Sequence, residues 1–194
     1  MATEFLPVNW NLYHTLAQNL AATILTQKES PDEIVAISRG GLTLGHLLTD
    51  FLHIPISTIA IQSYVDIQSQ GELTITIPLQ KSIKGKRVIL VDDVADSGKT
   101  LLRAVEHLKE SDPLKITTVT MFYKPRSSFK PDYFAQETTK WILFPYEPTE
   151  MIQLLTTQME KEGKSQEEVN VFLKQLEYSD DQIAFVRKYY DHHR

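Results

Sequence analysis

The 194-residue sequence predicts an α/β fold, a mostly parallel twisted sheet with helices on both faces, and three observations predict it. Apolar positions along the chain switch repeatedly between a helical period and a strand period. The run Val88-Ile89-Leu90-Val91 is continuously apolar and mostly β-branched, the pattern of a strand covered on both faces. Directly after it come two carboxylates, a small-residue loop and a helix start, the order found at the carboxyl ends of strands in doubly wound sheets, where ligands bind.

Trp10 to Leu25 carries Leu12, Leu16, Leu20 and Ile24 at helical spacing and predicts an N-terminal helix. Glu33 to Ile37 reads as a short strand, and Gly41 to Phe51 as the helix after it. Thr58 to Tyr64 and Leu73 to Ile77 read as strands around a polar connection, Asp66 to Gly71. The strand at Val88 to Val91 leads to a helix over Leu101 to Lys109, followed by strands at Lys115 to Tyr123 and Thr139 to Phe144. Beyond these, Ser165-Gln166-Glu167-Glu168 and Ser179-Asp180-Asp181-Gln182 match the capping box that starts helices. Each precedes a helical apolar pattern, and Met151 to Met159 forms a third. Residues 1–150 are therefore expected to form one domain and 151–194 a helical extension. Three short helices cannot make a core alone, so the extension is expected to pack on that domain or on a second subunit.

Composition narrows the function classes. A chain with 42% hydrophobic residues is long enough for one α/β domain with a full core and a small appendage. The net charge of −5 argues against a general nucleic-acid surface while leaving room for a local basic pocket. There are no cysteines, which removes disulfide and thiolate chemistry and suits a cytoplasmic enzyme. No apolar run approaches the ~20 residues of a membrane span, and Met1-Ala2-Thr3-Glu4 has no basic lead into an apolar stretch. Neither a nucleic-acid nor a membrane partner is expected.

The stretch Asp92-Asp93-Val94-Ala95-Asp96-Ser97-Gly98-Lys99-Thr100 reads as a phosphosugar site. Asp92 and Asp93 would repel each other in a dry site, and the pair makes sense where sugar hydroxyls donate to it and a hard cation such as Mg²⁺ adds positive charge. Ala95, Ser97, Gly98 and Thr100 keep the loop narrow, so its N–H groups and hydroxyls can close on a phosphate at the positive end of the following helix. Gly98-Lys99-Thr100 also matches the end of a nucleotide-binding P-loop, but that motif's first glycine would fall at Asp93. A lone acid pair would be better read as a solvated turn after a core strand; the full order of strand, acids, loop and helix favours the ligand site. A second loop, Ser38-Arg39-Gly40-Gly41, also lies between a strand and a helix, with two glycines for close backbone approach and a permanent charge on Arg39.

Together these residues resemble the type I phosphoribosyltransferases, whose signature is a hydrophobic strand, two acids and a short Asp-Thr/Ser-Gly loop. The resemblance covers roughly residues 8–147 and is strongest to the bacterial xanthine-guanine and hypoxanthine (6-oxopurine) branch. It implies that family's fold and its substrate, 5-phosphoribosyl 1-pyrophosphate (PRPP). By the resemblance, Ala95 to Thr100 would hold the 5-phosphate, Asp92 and Asp93 the ribose hydroxyls, with Asp93 nearest the Mg²⁺, and Ser38 to Gly41 the pyrophosphate. In relatives this last loop often contains a non-proline cis peptide, which is expected at Ser38–Arg39.

The resemblance also implies a purine acceptor. Lys124 would reach the purine O6, Trp141 would stack over the ring, and the Ile142 backbone would lie near its 2-position; an indole can stack on a flat heterocycle and an ammonium can donate to a carbonyl. Trp141 as core and Lys124 as a turn lysine are the alternatives. Asp96 would face the base as the catalytic residue, accepting or orienting its proton. The segment from Ser63 to Leu73 looks like the mobile loop that covers PRPP in relatives, with Gly71-Glu72-Leu73 where bacterial relatives have Arg-Glu-Leu. The expected activity is Mg²⁺-dependent purine salvage by a homo-oligomer, dimer or tetramer. The alternatives are a PRPP- or nucleotide-sensing regulator on the same fold and a phosphoribosyltransferase for a non-purine acceptor. His192-His193 are assigned no role.

Overall fold

The computed structural model describes residues 3–27, 30–63 and 73–190. The expected connection Asp66 to Gly71 and the pair His192-His193 lie outside these residues. The chain divides into two compact units, one of residues 14–139 and one of residues 1–13 with 140–194.

The larger unit holds a six-stranded sheet of β2 (Glu33–Ser38), β3 (Ile56–Ser63), β4 (Leu73–Ile77), β5 (Arg87–Ala95), β6 (Lys115–Tyr123) and β7 (Tyr133–Glu137). Their order is β4-β3-β2-β5-β6-β7, and every pairing is parallel except the edge pair β3 and β4. The chain passes from β2 to β3 through α2 (Gly41–Leu52) and from β5 to β6 through α3 (Lys99–Lys109), in opposite directions across the sheet. The winding therefore reverses between β2 and β5.

Strand alternation sends α2 and α3 to opposite faces. Val35, Ile37, Val88 and Leu90 share a core with Leu101, Ala104 and Leu108 of α3. The intervening Ala36 lies against Gly45 of α2, where a Cβ would come within 2.9 Å of the alanine side chain. The N-terminal helix α1 (Trp10–Leu25) spans both units and has the predicted bounds, but its buried face runs through Tyr13, Ala17, Leu20, Ala21 and Ile24, and Leu12 is exposed.

At the amino end of β2, the fully buried Glu33 accepts from Lys81 at 2.8 Å, Lys86 at 3.1 Å and Ser57 at 2.9 Å. Burial alone would raise its pKa, but the bonds from Lys81, Ser57 and Lys86 outweigh it and hold the carboxyl below its ordinary range. Those bonds anchor the connection between β4 and β5, whose Ile83 is fully buried.

The smaller unit pairs β1 (Phe5–Pro7) in parallel with β8 (Trp141–Leu143) and adds α4 (Pro148–Lys161), α5 (Gln166–Gln175) and α6 (Asp180–Tyr190). Both capping boxes form: Ser165 with Glu168 and Ser179 with Gln182. Leu143 is buried in one cluster with Met151, Leu155, Leu173 and Ile183, and Phe5 packs against that cluster. The smaller unit begins again at Lys140, because the tail helices bury the strand that precedes them. No helix among the described residues is long and apolar enough to cross a membrane.

Candidate functional site

β2 and β5 stay paired only as far as Ala36 opposite Val91. Beyond that point β2 turns away through Ser38 and Arg39, whose peptide bond is cis, while β5 continues against β6 with Asp92 opposite Thr120 and Ala95 opposite Tyr123. Pairing with β6 thus keeps both acids on the strand, which the sequence reading ends at Val91. The result is a notch at the reversal point of the sheet, with Gly40 and Gly41 on one side and the acid pair on the other. The approach is close: a Cβ on Gly40 would overlap the Asp93 carboxylate, and one on Gly41 would overlap the Val91 carbonyl oxygen.

The two acids differ in environment. Asp92 is buried, and its Oδ1 accepts from the Asp93 N–H at 3.0 Å. Burial, and then the Asp93 carboxylate beside it, push its pKa well above the ordinary carboxylate range, and the Asp93 N–H only partly offsets them. Asp93 is half-buried, with its side chain against the Gly40 backbone.

Ala95, Ser97 and Gly98 carry the chain from β5 into α3. Gly98 takes a φ of 81°, which a side chain would resist, and the helix starts at Lys99 rather than at Leu101. Val94 and Thr100 are half-buried, and Lys99 is exposed.

A second segment braces this loop. The Lys124 N–H donates to the Ala95 carbonyl at 3.1 Å, and the Ser128 N–H and hydroxyl both donate to the Ser97 carbonyl, at 3.0 and 2.8 Å. Gly98 fits so closely beneath it that a Cβ would lie 2.6 Å from the Phe129 nitrogen. Lys124 is buried, and its Nζ stands 3.7 Å from Asp96 Oδ2. The other oxygen of Asp96 is engaged by Arg126, whose Nε donates at 2.7 Å and whose Nη2 lies 2.5 Å away.

The larger unit thus brings together Ser38 to Gly41, Asp92 to Thr100 and Lys124. Trp141 and Ile142 belong to the smaller unit. There Trp141 is 47% exposed, with its backbone N–H donating to the Glu4 carbonyl at 2.8 Å, and Ile142 is buried on the same strand. The expected cover over the site lies largely outside the described residues, including Gly71. Arg126 is the residue that sequence reasoning missed: it belongs to no motif, and its partner lies thirty residues away.

Chemically, the notch sets the Gly40–Gly41 backbone against the carboxylate acceptors at the end of β5, and α3 starts at Lys99 a few residues on. The described residues contain no cluster of three or more His, Asp or Glu side chains able to hold a metal ion. The two adjacent aspartates supply the hard oxygen donors that suit Mg²⁺ brought in on a phosphorylated substrate, since Mg²⁺ is commonly held by one or two carboxylates together with substrate phosphates.

Comparison with known proteins agrees with this architecture. Residues 9–150 match the phosphoribosyl transferase domain family. The chain is 28% identical to xanthine phosphoribosyltransferase 1 of Saccharomyces cerevisiae over 74% of its own length and 90% of that protein's. It is 34% identical to a purine phosphoribosyltransferase from Pyrococcus horikoshii, with a TM-score of 0.69 over 75% of this chain and 95% of the other. The xanthine-guanine-hypoxanthine phosphoribosyltransferase of Helicobacter pylori shares the fold at 20% identity, with a TM-score of 0.62 over 75% and 94% of the two chains. On its fold, its two loops at the sheet reversal and the family match over most of its length, the chain belongs to the type I phosphoribosyltransferase family.

Proposed function

We propose that this phosphoribosyltransferase transfers the 5-phosphoribosyl group of PRPP to a 6-oxopurine, xanthine, guanine or hypoxanthine, giving a nucleoside monophosphate and pyrophosphate for purine salvage. The observation that carries the reading is the pairing of Lys124 with Asp96, just past the strand that carries the acid pair. A carboxylate and an ammonium so close together support a proton acceptor and a donor for a carbonyl oxygen on one base. The likeness to purine enzymes of yeast and Pyrococcus supports the same acceptor class.

In the reaction, the bond from the ribose anomeric carbon to pyrophosphate breaks and a bond to a purine ring nitrogen forms. Ala95 to Thr100 hold the 5-phosphate with loop N–H groups and hydroxyls. Asp92 and Asp93 accept from the ribose hydroxyls, and Asp93 contributes to Mg²⁺ binding. When bound, Mg²⁺ neutralises charge on the pyrophosphate and fixes its orientation. Arg39 and the Gly40 and Gly41 amides stabilise the negative charge that develops on the leaving group. Asp96 accepts the proton that the purine gives up and Lys124 donates to O6; the stacking role of Trp141 and the contact of Ile142 near the 2-position rest on the family resemblance. We place this chemistry in the cytoplasm, in a homo-oligomer.

The test is a panel of xanthine, guanine, hypoxanthine, adenine, uracil and orotate with PRPP and Mg²⁺, following pyrophosphate release. Release is expected with at least one 6-oxopurine and none with the pyrimidines. Release with a pyrimidine alone would move the enzyme to another acceptor class.

A further inference from the structure

We infer that Arg126 is a positioning residue for the reaction, holding Asp96 in the orientation in which its Oδ2 can take the proton of the incoming base. The inference rests on the proposed role of Asp96. Asp96 is 43% exposed, and without a partner its carboxylate would be free to rotate about the side-chain bonds. Arg126 removes that freedom by directing two nitrogens, Nε at 2.7 Å and Nη2 at 2.5 Å, at the same oxygen, Oδ1. A planar guanidinium fixes direction as well as charge, which a single ammonium does not. Oδ2 is left on the side facing Lys124, whose Nζ is 3.7 Å away.

The chain that carries Arg126 is itself anchored. Its backbone lies in the segment that braces the phosphate loop, with Lys124 bonded to Ala95 and Ser128 to Ser97 on either side. Pro125 narrows the backbone freedom of the same segment. Arg126 and Asp96 therefore lie just past two strand ends that are hydrogen-bonded to each other. A proton acceptor gains most from such pre-orientation, because small misplacements at a reacting atom cost on the order of 10²-fold in rate. The contribution to stability is small by comparison, because Arg126 is 69% exposed and solvent screens its charge.

A double-mutant cycle in the full-length protein tests this. Steady-state kinetics with PRPP and the best base of the panel are measured for wild type, Arg126→Gln, Asp96→Asn and the double variant, with a thermal melt of each. Arg126→Gln is expected to lower kcat by roughly 10–10²-fold with little change in KM for PRPP and little change in Tm. In the Asp96→Asn background the same substitution is expected to have no further effect, because a residue that acts through another loses its influence when that partner is gone. Wild-type kcat in Arg126→Gln, or losses that multiply in the double variant, would overturn the inference and leave the role of Asp96 standing. A rise in KM for the base with unchanged kcat would make Arg126 a substrate contact instead. If Asp96→Asn alone keeps the wild-type kcat, the role of Asp96 fails, and that of Arg126 fails with it.

Discussion

Asp92 and Glu33 are both buried acids on neighbouring strands, yet their environments push them in opposite directions. Glu33 is surrounded by Lys81, Lys86 and Ser57, so the native state favours its charged form, and its stabilisation is lost as pH falls through its lowered pKa. Asp92 is desolvated beside a like charge, so the native state favours its protonated form. Between the ordinary value of 3.8 and its raised folded value, the native state binds more protons than the unfolded chain, so this group makes stability fall as pH rises. A residue that destabilises the empty protein at neutral pH is suited to a ligand that brings hydroxyl donors and positive charge. Asp92→Asn removes the charge and keeps an acceptor for the Asp93 N–H. It is expected to raise Tm at pH 7 by roughly 2–8 °C, equivalent to about 1–2 kcal/mol, with a smaller gain near pH 4 and weaker PRPP binding at both. Thermal melts at the two pH values check this, and an equal gain at both would remove burial of the charge as its cause.

At the scale of elements, the site depends on how two loops end two strands. Gly98 combines a φ of 81° with contact against Ser127 and Phe129, so Gly98→Ala is expected to cost about 1 kcal/mol or more and to weaken PRPP binding, read by melts and by PRPP titration. Most of this architecture is legible in the sequence, because β2, β5, β6, α1 and α2 carry strong apolar periods and the two loops carry glycines in fixed order. β1 and β7 were missed for a physical reason. Three residues ending at Pro7 show no period, and Tyr133 to Glu137 is held through its neighbour, with Asp132 accepting from the Thr118 N–H at 2.7 Å and from its hydroxyl at 2.8 Å. The end of β5 was placed too early because carboxylates are poor strand formers. Pairing with β6 overrides that preference as far as Ala95. Arg126 was illegible for the same kind of reason, since its meaning lies in a contact between two strand ends.

For the molecule as a whole, polarity along the sheet organises function. The amino ends of the strands hold Glu33 in its charged cradle, and the carboxyl ends hold the acid pair, the narrow loop and Asp96. The capping boxes at Ser165 and Ser179 were readable from sequence, but the core they help to close was not: it recruits Phe5 and Leu143 from two strands far apart in the chain. That core thereby includes the last residue of β8, the strand that carries Trp141 and Ile142. The central claim is that phosphoribosyl transfer to a 6-oxopurine takes place at the end of β5 with Asp96 as proton acceptor. Its most direct test is to measure nucleoside monophosphate formed from PRPP, Mg²⁺ and each 6-oxopurine by wild type and by Asp96→Asn. Wild type is expected to form product and Asp96→Asn to form it roughly 10²–10⁴-fold more slowly; no product from any 6-oxopurine, or equal rates for the two proteins, would contradict the account.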